Sequence, residues 1–281
     1  MVVRKQNIFN TITGGIRMGL FWTMVVIQMP LIFFLPRGRI SVAYMRVFMW
    51  FLKVISGIKI RVHGKMTSKR PVLVVSNHIS VFEIAMFPVA FGGSLIAKKE
   101  VASWPIVGWV AKKFGVIFVD RNPSTAATAL EAVQKTLANI KYPLFVFPEG
   151  TTTNGAYVKQ FKSALFNVIE GTNTAVQPVV VNYRFRNGDV INEIDMANHY
   201  AYFDNKKMEQ GPLAVRERSA FGQLYHVMML GGMLVEFTVL PVPDLTGLNR
   251  KEIAAKVGEM VSEKYMEMKN KTATSAVLSF F

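Results

Sequence analysis

The sequence predicts an α/β protein, a largely parallel central sheet flanked by helices, preceded by an N-terminal membrane-associated two-helix segment. Three observations carry that expectation. From about Ile58 onward, short apolar runs alternate with helix-length segments, as strand–helix crossovers require. Ahead of that point, Met18–Leu35 is apolar apart from Thr23 and Gln28. The charge divides at a similar place. Residues 1–70 hold twelve Lys and Arg and no acid precedes Glu83, so +12 of the formal +15 sits in the first quarter.

As a helix, the 18 residues of Met18–Leu35 reach about 27 Å, marginal against the roughly 30 Å hydrocarbon core of a bilayer. Pro30 is expected to kink or interrupt it. Pro36-Arg37-Gly38-Arg39 reads as a turn. Val42–Ile55 follows, its apolar run broken by Arg46 and Lys53, cations expected to snorkel from an amphipathic helix. Positive charge lies on both sides of the first helix and assigns it no orientation. A hairpin dipping into one leaflet is the preferred reading and a single full span the rival. A cleaved signal peptide fits less well, because Pro-Arg-Gly-Arg stands where small residues should mark cleavage. Lys and Arg beside apolar segments suit anionic head groups, each contributing roughly 1 kcal/mol near the surface.

The sequence thus divides into a hairpin at 1–56, an α/β domain at 57–270 and a tail at 271–281. In the α/β part, strands are expected at Ile58–Val62, Val72–Val75, Ser94–Ala97, Val116–Val119, Leu144–Phe147 and Val176–Val181, with another at Leu234–Leu240. Helices are expected at Ser80–Ala90, Trp104–Phe114 and Ser124–Asn139, and a closing amphipathic helix at Arg250–Met268. The tail after about Asn270 is expected to fray. Trp22 and Trp50 suit a membrane interface, and Trp104 and Trp109 a core.

Composition narrows the chemistry. With 281 residues, 51% hydrophobic and 18% charged, and a mean hydropathy of +0.28, the chain is not intrinsically disordered. It has no cysteine, which excludes a disulfide scaffold, a thiolate zinc site and a Cys nucleophile. Nucleic-acid binding fits poorly, because the basic residues interrupt apolar segments instead of lining an aromatic-bearing polar groove. His63, His199 and His226 have no partner at metal-ligand spacing and read as structural or surface residues.

Three blocks remain as candidate chemistry. Asn77-His78-Ile79-Ser80-Val81-Phe82-Glu83 follows a strand, at the sheet edge where α/β ligands gather. His78 there can act as a base, and Glu83 can fix its tautomer. On one helix, residues five apart differ by about 140° in azimuth. The two can meet only if His78 precedes the helix or stands at its start. Ser80-Val81-Phe82-Glu83 also fits a capping box, and a carboxylate has oxygens enough for both roles. The second block, Phe147-Pro148-Glu149-Gly150-Thr151-Thr152-Thr153, can turn N–H groups and hydroxyls toward an oxyanion or phosphate, or be an ordinary strand-end turn. In the third, Gly115 through Asp120-Arg121, Arg121 can clamp a phosphate or pair with Asp120.

In this order and spacing the blocks resemble the glycerolipid acyltransferase family typified by 1-acylglycerol-3-phosphate acyltransferases. The matches are Asn77 and His78, Gly115 through Arg121, Phe147 through Thr151, and Val176-Gln177-Pro178-Val179-Val180. Ala97-Lys98-Lys99-Glu100, with Pro105 and Gly108, matches the approach to the second of these. The close resemblance covers about residues 55–185. It departs twice: Glu83 stands where the family usually has Asp, and Thr152 and Thr153 stand where Arg and Ser often follow Glu-Gly-Thr. Lys162 can supply the missing cation or belong to a solvated face.

The resemblance implies a glycerol-phosphate acyltransferase-like fold and direct acyl transfer, with no metal, no cofactor and no covalent enzyme intermediate. His78, oriented by Glu83, would deprotonate the acceptor hydroxyl for attack on the thioester of acyl-CoA or acyl-carrier protein. N–H groups near Gly150 and Thr151 would stabilise the oxyanion. Arg121 and Glu149, with Thr152 and Lys162, would hold the acceptor. The implied acceptor is a lysophospholipid, foremost 1-acylglycerol-3-phosphate, with another lysophospholipid or a lyso-aminolipid as alternatives. The implied location is the membrane surface among phospholipids, the active site facing the cytoplasm. A non-catalytic lysolipid-binding protein is the reading from another class.

Overall fold

Seven strands form one sheet in the order β1-β7-β6-β2-β5-β3-β4. They are β1 (Lys59–His63), β2 (Val72–Ser76), β3 (Ser94–Lys98), β4 (Ile117–Val119), β5 (Leu144–Val146), β6 (Ala175–Phe185) and β7 (Met233–Val239). The computed structural model describes residues 8–104, 106–119, 131, 133–191, 196 and 220–278, with 220, 221 and 270–278 described by their backbone. Every neighbouring pair is parallel except β6 with β7. The largely parallel sheet expected from the alternation is therefore present, with one antiparallel joint. All five residues of β2 are buried, which is why Val72–Ser76 reads as an unbroken apolar run ending in a small polar residue.

The helices are α1 (Ile8–Phe34), α2 (Arg39–Ile55), α3 (Glu83–Phe91), α4 (Val107–Lys113), α5 (Ala220–Met229) and α6 (Arg250–Leu278). Four differ from the sequence expectation. α1 is one helix across Pro30, so the interruption that was one of the two expectations there is not seen. The segment expected as one helix over 104–114 contains only α4, with a 3-10 turn at Lys99–Ser103 ahead of it. Ile106, at φ 61°, breaks the two apart. α5, with Gly222 close to its start, was not anticipated. α6 runs on through Leu278, where a frayed tail was expected. Of the helix expected at Ser124–Asn139, residues 131 and 133–139 are helical and the rest lie outside the described residues.

The hairpin is tied to the sheet domain at both ends of α1. Near its start, Gly14 packs against Met229 so closely that a Cβ would overlap that side chain. One turn on, Arg17 donates to the Met228 carbonyl at 3.0 Å. Near the other end, the Phe33 ring stacks on Trp109 of α4 at 6.1 Å. Lys113 Nζ donates to the Phe33 and Leu35 carbonyls at 2.9 and 2.8 Å, a cation on the negative end of the helix dipole. Arg46 of α2, expected to snorkel, instead donates to Val89 O of α3 at 3.1 Å. The buried stripe of α1 is Gly14, Phe21, Met24, Gln28 and Ile32. Its outer face exposes Ile12, Ile16, Leu20, Val26, Ile27 and Leu31. Trp104, expected in the core, is 43% exposed.

Candidate active site

The site forms where β2 and β5, adjacent parallel strands, release the chain at their carboxyl ends. Asn77, the first residue past β2, clamps the exit. Its side chain donates to Val181 O and accepts from Val181 N, at 2.9 and 2.8 Å, fastening the turn to β6. His78 therefore leaves the sheet in a fixed direction, ahead of α3.

Glu83 is the first residue of α3 and reaches back to His78, Nδ1 to Oε2 at 2.5 Å. That is the arrangement the five-residue spacing required. The same carboxylate accepts from the N–H groups of Ser80, at 2.9 and 3.0 Å, and of Ile79, at 3.2 Å. Glu83 thus holds the turn ahead of α3 and His78 at once, as its several lone pairs allow, while the N-cap residue of α3 is Phe82 and not the Ser80 of the expected capping box. Its side chain is fully buried, whereas that of His78 keeps 15% of its surface exposed. One further donor was not anticipated: Tyr183 of β6, buried, gives its hydroxyl to Glu83 Oε1 at 2.5 Å. Burial, and next the Glu83 charge, hold the Tyr183 phenol above its ordinary range, so it stays protonated and donates. The only hint in the sequence was a polar-tipped aromatic near the end of an apolar strand.

The loop after β5 closes over His78 from the other side. The Phe147 ring stacks on the imidazole, centroids 4.3 Å apart and planes 14° from parallel. Glu149 turns inward: Oε1 accepts the His78 N–H at 2.6 Å and Oε2 the Lys159 N–H at 2.8 Å. Thr153 N–H donates to His78 O at 2.9 Å, so both backbone groups of His78 belong to this loop. Burial pushes the Glu149 carboxyl up to about 8, while the N–H donors of Lys159 and His78 pull it down.

Gly150 takes the left-handed backbone, φ 70°, and its N–H donates to Phe147 O at 3.0 Å. That N–H, expected to meet an oxyanion, is committed within the loop. Thr151 is half-buried and Thr152 buried, its hydroxyl without a hydrogen-bond partner among the described residues. The Lys162 side chain lies across Gly150, so an added Cβ there would fall 2.8 Å from Nζ. Gly150→Ala is expected to displace Lys162 and to lower stability by roughly 1–2 kcal/mol through the left-handed strain, read by thermal unfolding. The end of α6 holds the loop's far side, Tyr265 donating to Gly155 O at 2.6 Å and Lys269 to Ala156 O at 2.9 Å.

His78, Glu83, Glu149, Gly150, Thr151, Thr152 and Lys162 are therefore gathered at one edge of the sheet. Arg121 lies outside the described residues, as do Asp120, Pro105 and His199; β4 ends at Val119. His63 stands away from the site, 3.9 Å from Glu236, which also pairs with Arg61 and Arg184. His226 is buried in α5.

An α/β sheet of this form, with its His–carboxylate block and Pro-Glu-Gly-Thr loop on one edge, is similar to known acyltransferases in sequence and fold. Residues 59–182 match the family model described as Acyltransferase. Among curated relatives, the lyso-ornithine lipid O-acyltransferase of Pseudomonas aeruginosa is 28% identical over 236 residues, covering 81% of each chain. The 1-acyl-sn-glycerol-3-phosphate acyltransferase of Saccharomyces cerevisiae is 32% identical over 145 residues, 49% of this chain and 47% of that one. The structure of PlsC, the 1-acyl-sn-glycerophosphate acyltransferase of Thermotoga maritima, shares the fold with a TM-score of 0.62 at 20% identity. That likeness covers 92% of this chain and 98% of the Thermotoga one.

Proposed function

We propose that the chain transfers an acyl group from a thioester donor, acyl-CoA or acyl-carrier protein, to the free hydroxyl of a lysolipid at a membrane surface. The observation that carries this reading is the 2.5 Å His78–Glu83 couple at the carboxyl edge of β2. Glu83 holds the Nδ1 proton, which leaves Nε2 to take the acceptor's hydroxyl proton as the oxygen attacks the thioester carbonyl. The tetrahedral intermediate then expels the thiolate, which leaves with the proton from His78. Thr151 N–H takes the oxyanion role that Gly150 N–H, tied to Phe147 O, does not offer. Tyr183, Phe147 and Glu149 are positioning residues in this scheme: they hold the carboxylate, the ring plane and the His78 backbone. Thr152 and Lys162 serve the acceptor side, the role the resemblance also gives to Arg121.

The first acceptor reading is 1-acylglycerol-3-phosphate, its phosphate met by Lys162 over the Gly150 turn. A second, a lyso-ornithine lipid, is favoured by an alignment that runs over 81% of both chains. It also suits the pair Thr152 and Thr153, which leaves the loop one cation poorer. Because α1 is fastened to one domain at both ends, we place it flat on a single leaflet, its outer apolar face in the bilayer and the site on the cytoplasmic side. The test is an acyl-transfer assay with purified protein, both lysolipids, and acyl-CoA and acyl-carrier protein in parallel. Transfer to either acceptor supports the enzyme reading, and the ratio chooses the head group. No transfer from either donor, with the fold intact, overturns it for the binding-protein alternative.

A further inference from the structure

The turn between the 3-10 segment Lys99–Ser103 and α4 presents apolar side chains outward. Trp104 is 43% exposed, Ile106 62% and Val107 37%. Ile106 does so from φ 61°, a conformation β-branched residues rarely adopt and one that marks functional sites more often than scaffolding. A soluble face would carry polar residues here.

Two neighbours say what covers this face. The first is α1. Trp109 and Lys113, one turn apart on α4, hold the end of α1 through the Phe33 ring and the Phe33 and Leu35 carbonyls. Phe33 and Phe34 of that end are themselves 61% and 81% exposed, and Ile106 stands three residues before Trp109, on which Phe33 stacks. The second is charge. Lys99 and Lys112 line an open surface depression with Glu100, Ala102 and Ser103, beside the same turn. Exposed aromatic and branched apolar residues bordered by lysines suit the boundary between acyl chains and anionic head groups.

We propose that this turn is a second membrane-insertion element: Trp104, Ile106 and Val107 enter the head-group boundary of an anionic bilayer beside the end of α1, with Lys99 and Lys112 at the lipid phosphates. The proposal rests on the reading of α1 as lying flat on one leaflet. It gives the catalytic edge of the sheet a lipid contact of its own, since only the 3-10 segment Lys99–Ser103 separates the turn from β3, and β3 adjoins β5. A lysolipid could then pass from leaflet to site without crossing water.

The test uses full-length protein retaining Trp104 as its single tryptophan, with Trp22, Trp50 and Trp109 replaced by Phe, on phosphatidylglycerol vesicles with and without brominated acyl chains. Cosedimentation of the protein with vesicles, a blue shift of Trp104 emission and its quenching by the brominated lipid are the expected results. Cosedimentation with emission unshifted and unquenched would overturn the proposal while leaving the α1 reading standing. Failure to cosediment would overturn both. In the otherwise unmodified chain, Ile106→Ser with Val107→Ser should weaken partition about tenfold or more, as removing two branched side chains from an apolar contact requires. Unchanged partition in that variant would equally count against insertion.

Discussion

Replacing His78 with alanine should lower the acyl-transfer rate by roughly 10²–10⁴ while leaving the fold intact, the scale at which a general base contributes. The Glu83 contact and the Phe147 stack are lost, but the two anchors of the residue 78 backbone are kept. Its N–H to Glu149 and its carbonyl from Thr153 survive the substitution. Near-normal turnover in His78→Ala would remove the proposed mechanism. Tyr183→Phe supplies the companion result. It deletes one hydrogen bond to a buried carboxylate, a contact of about 1.5–3 kcal/mol, so its rate loss should be smaller, about tenfold or more. If Tyr183 works through the couple, Tyr183→Phe should cost little further rate in the His78→Ala background. Additive losses would show that Tyr183 serves the sheet alone.

Glu149 is expected to give the larger effect on stability. Its two oxygens receive N–H groups from His78 and Lys159, drawing together chain segments that leave β2 and follow β5. Glu149→Ala leaves both donors without their acceptor, at a cost of about 1–3 kcal/mol each where they are buried, and frees the backbone that aims His78. Activity and melting temperature should therefore fall together. The pH dependence separates this carboxyl from others. Its folded value near 8 stands above its ordinary value, so the folded chain keeps a proton that the unfolded chain has already released. That contribution to stability is complete below the ordinary carboxyl range and is lost as pH rises through about 8. Glu149→Gln, which does not titrate, should flatten this part of the stability–pH profile in denaturant titrations. A profile of unchanged slope would mean that the carboxyl is already ionised in the folded state.

Much of this was legible in the residues, and the reason differs from place to place. The buried parallel strands announce themselves as unbroken apolar runs, and β2 differs from its expected span by one residue. The condition for His78 to meet Glu83 followed from azimuth, because a spacing of five forbids the contact inside one helix and so requires His78 to precede it or stand at its start. Tyr183 was invisible for the opposite reason: it reaches Glu83 from 100 residues away, across a sheet order that no local pattern encodes. Glu149 carried the right chemistry in an undetermined direction, since Pro-Glu-Gly-Thr does not say whether its carboxylate faces solvent or backbone. Trp104 was expected inside because tryptophan is mostly apolar, and burial of one ring depends on neighbours contributed by other elements.

The shared carboxylate of Glu83 has a consequence for how this sequence can change. Four partners, His78, Ile79, Ser80 and Tyr183, meet on one fully buried side chain. Each contact tolerates only small displacement, and aspartate is one methylene shorter. The aspartate found at the equivalent place in the resembling family is therefore not one neutral step away. A lineage moving from Glu83 to aspartate must also bring Tyr183 or the start of α3 closer, or lose a contact meanwhile. Two positions far apart in the gene are thereby expected to be epistatic, the effect of a change at Glu83 depending on Tyr183.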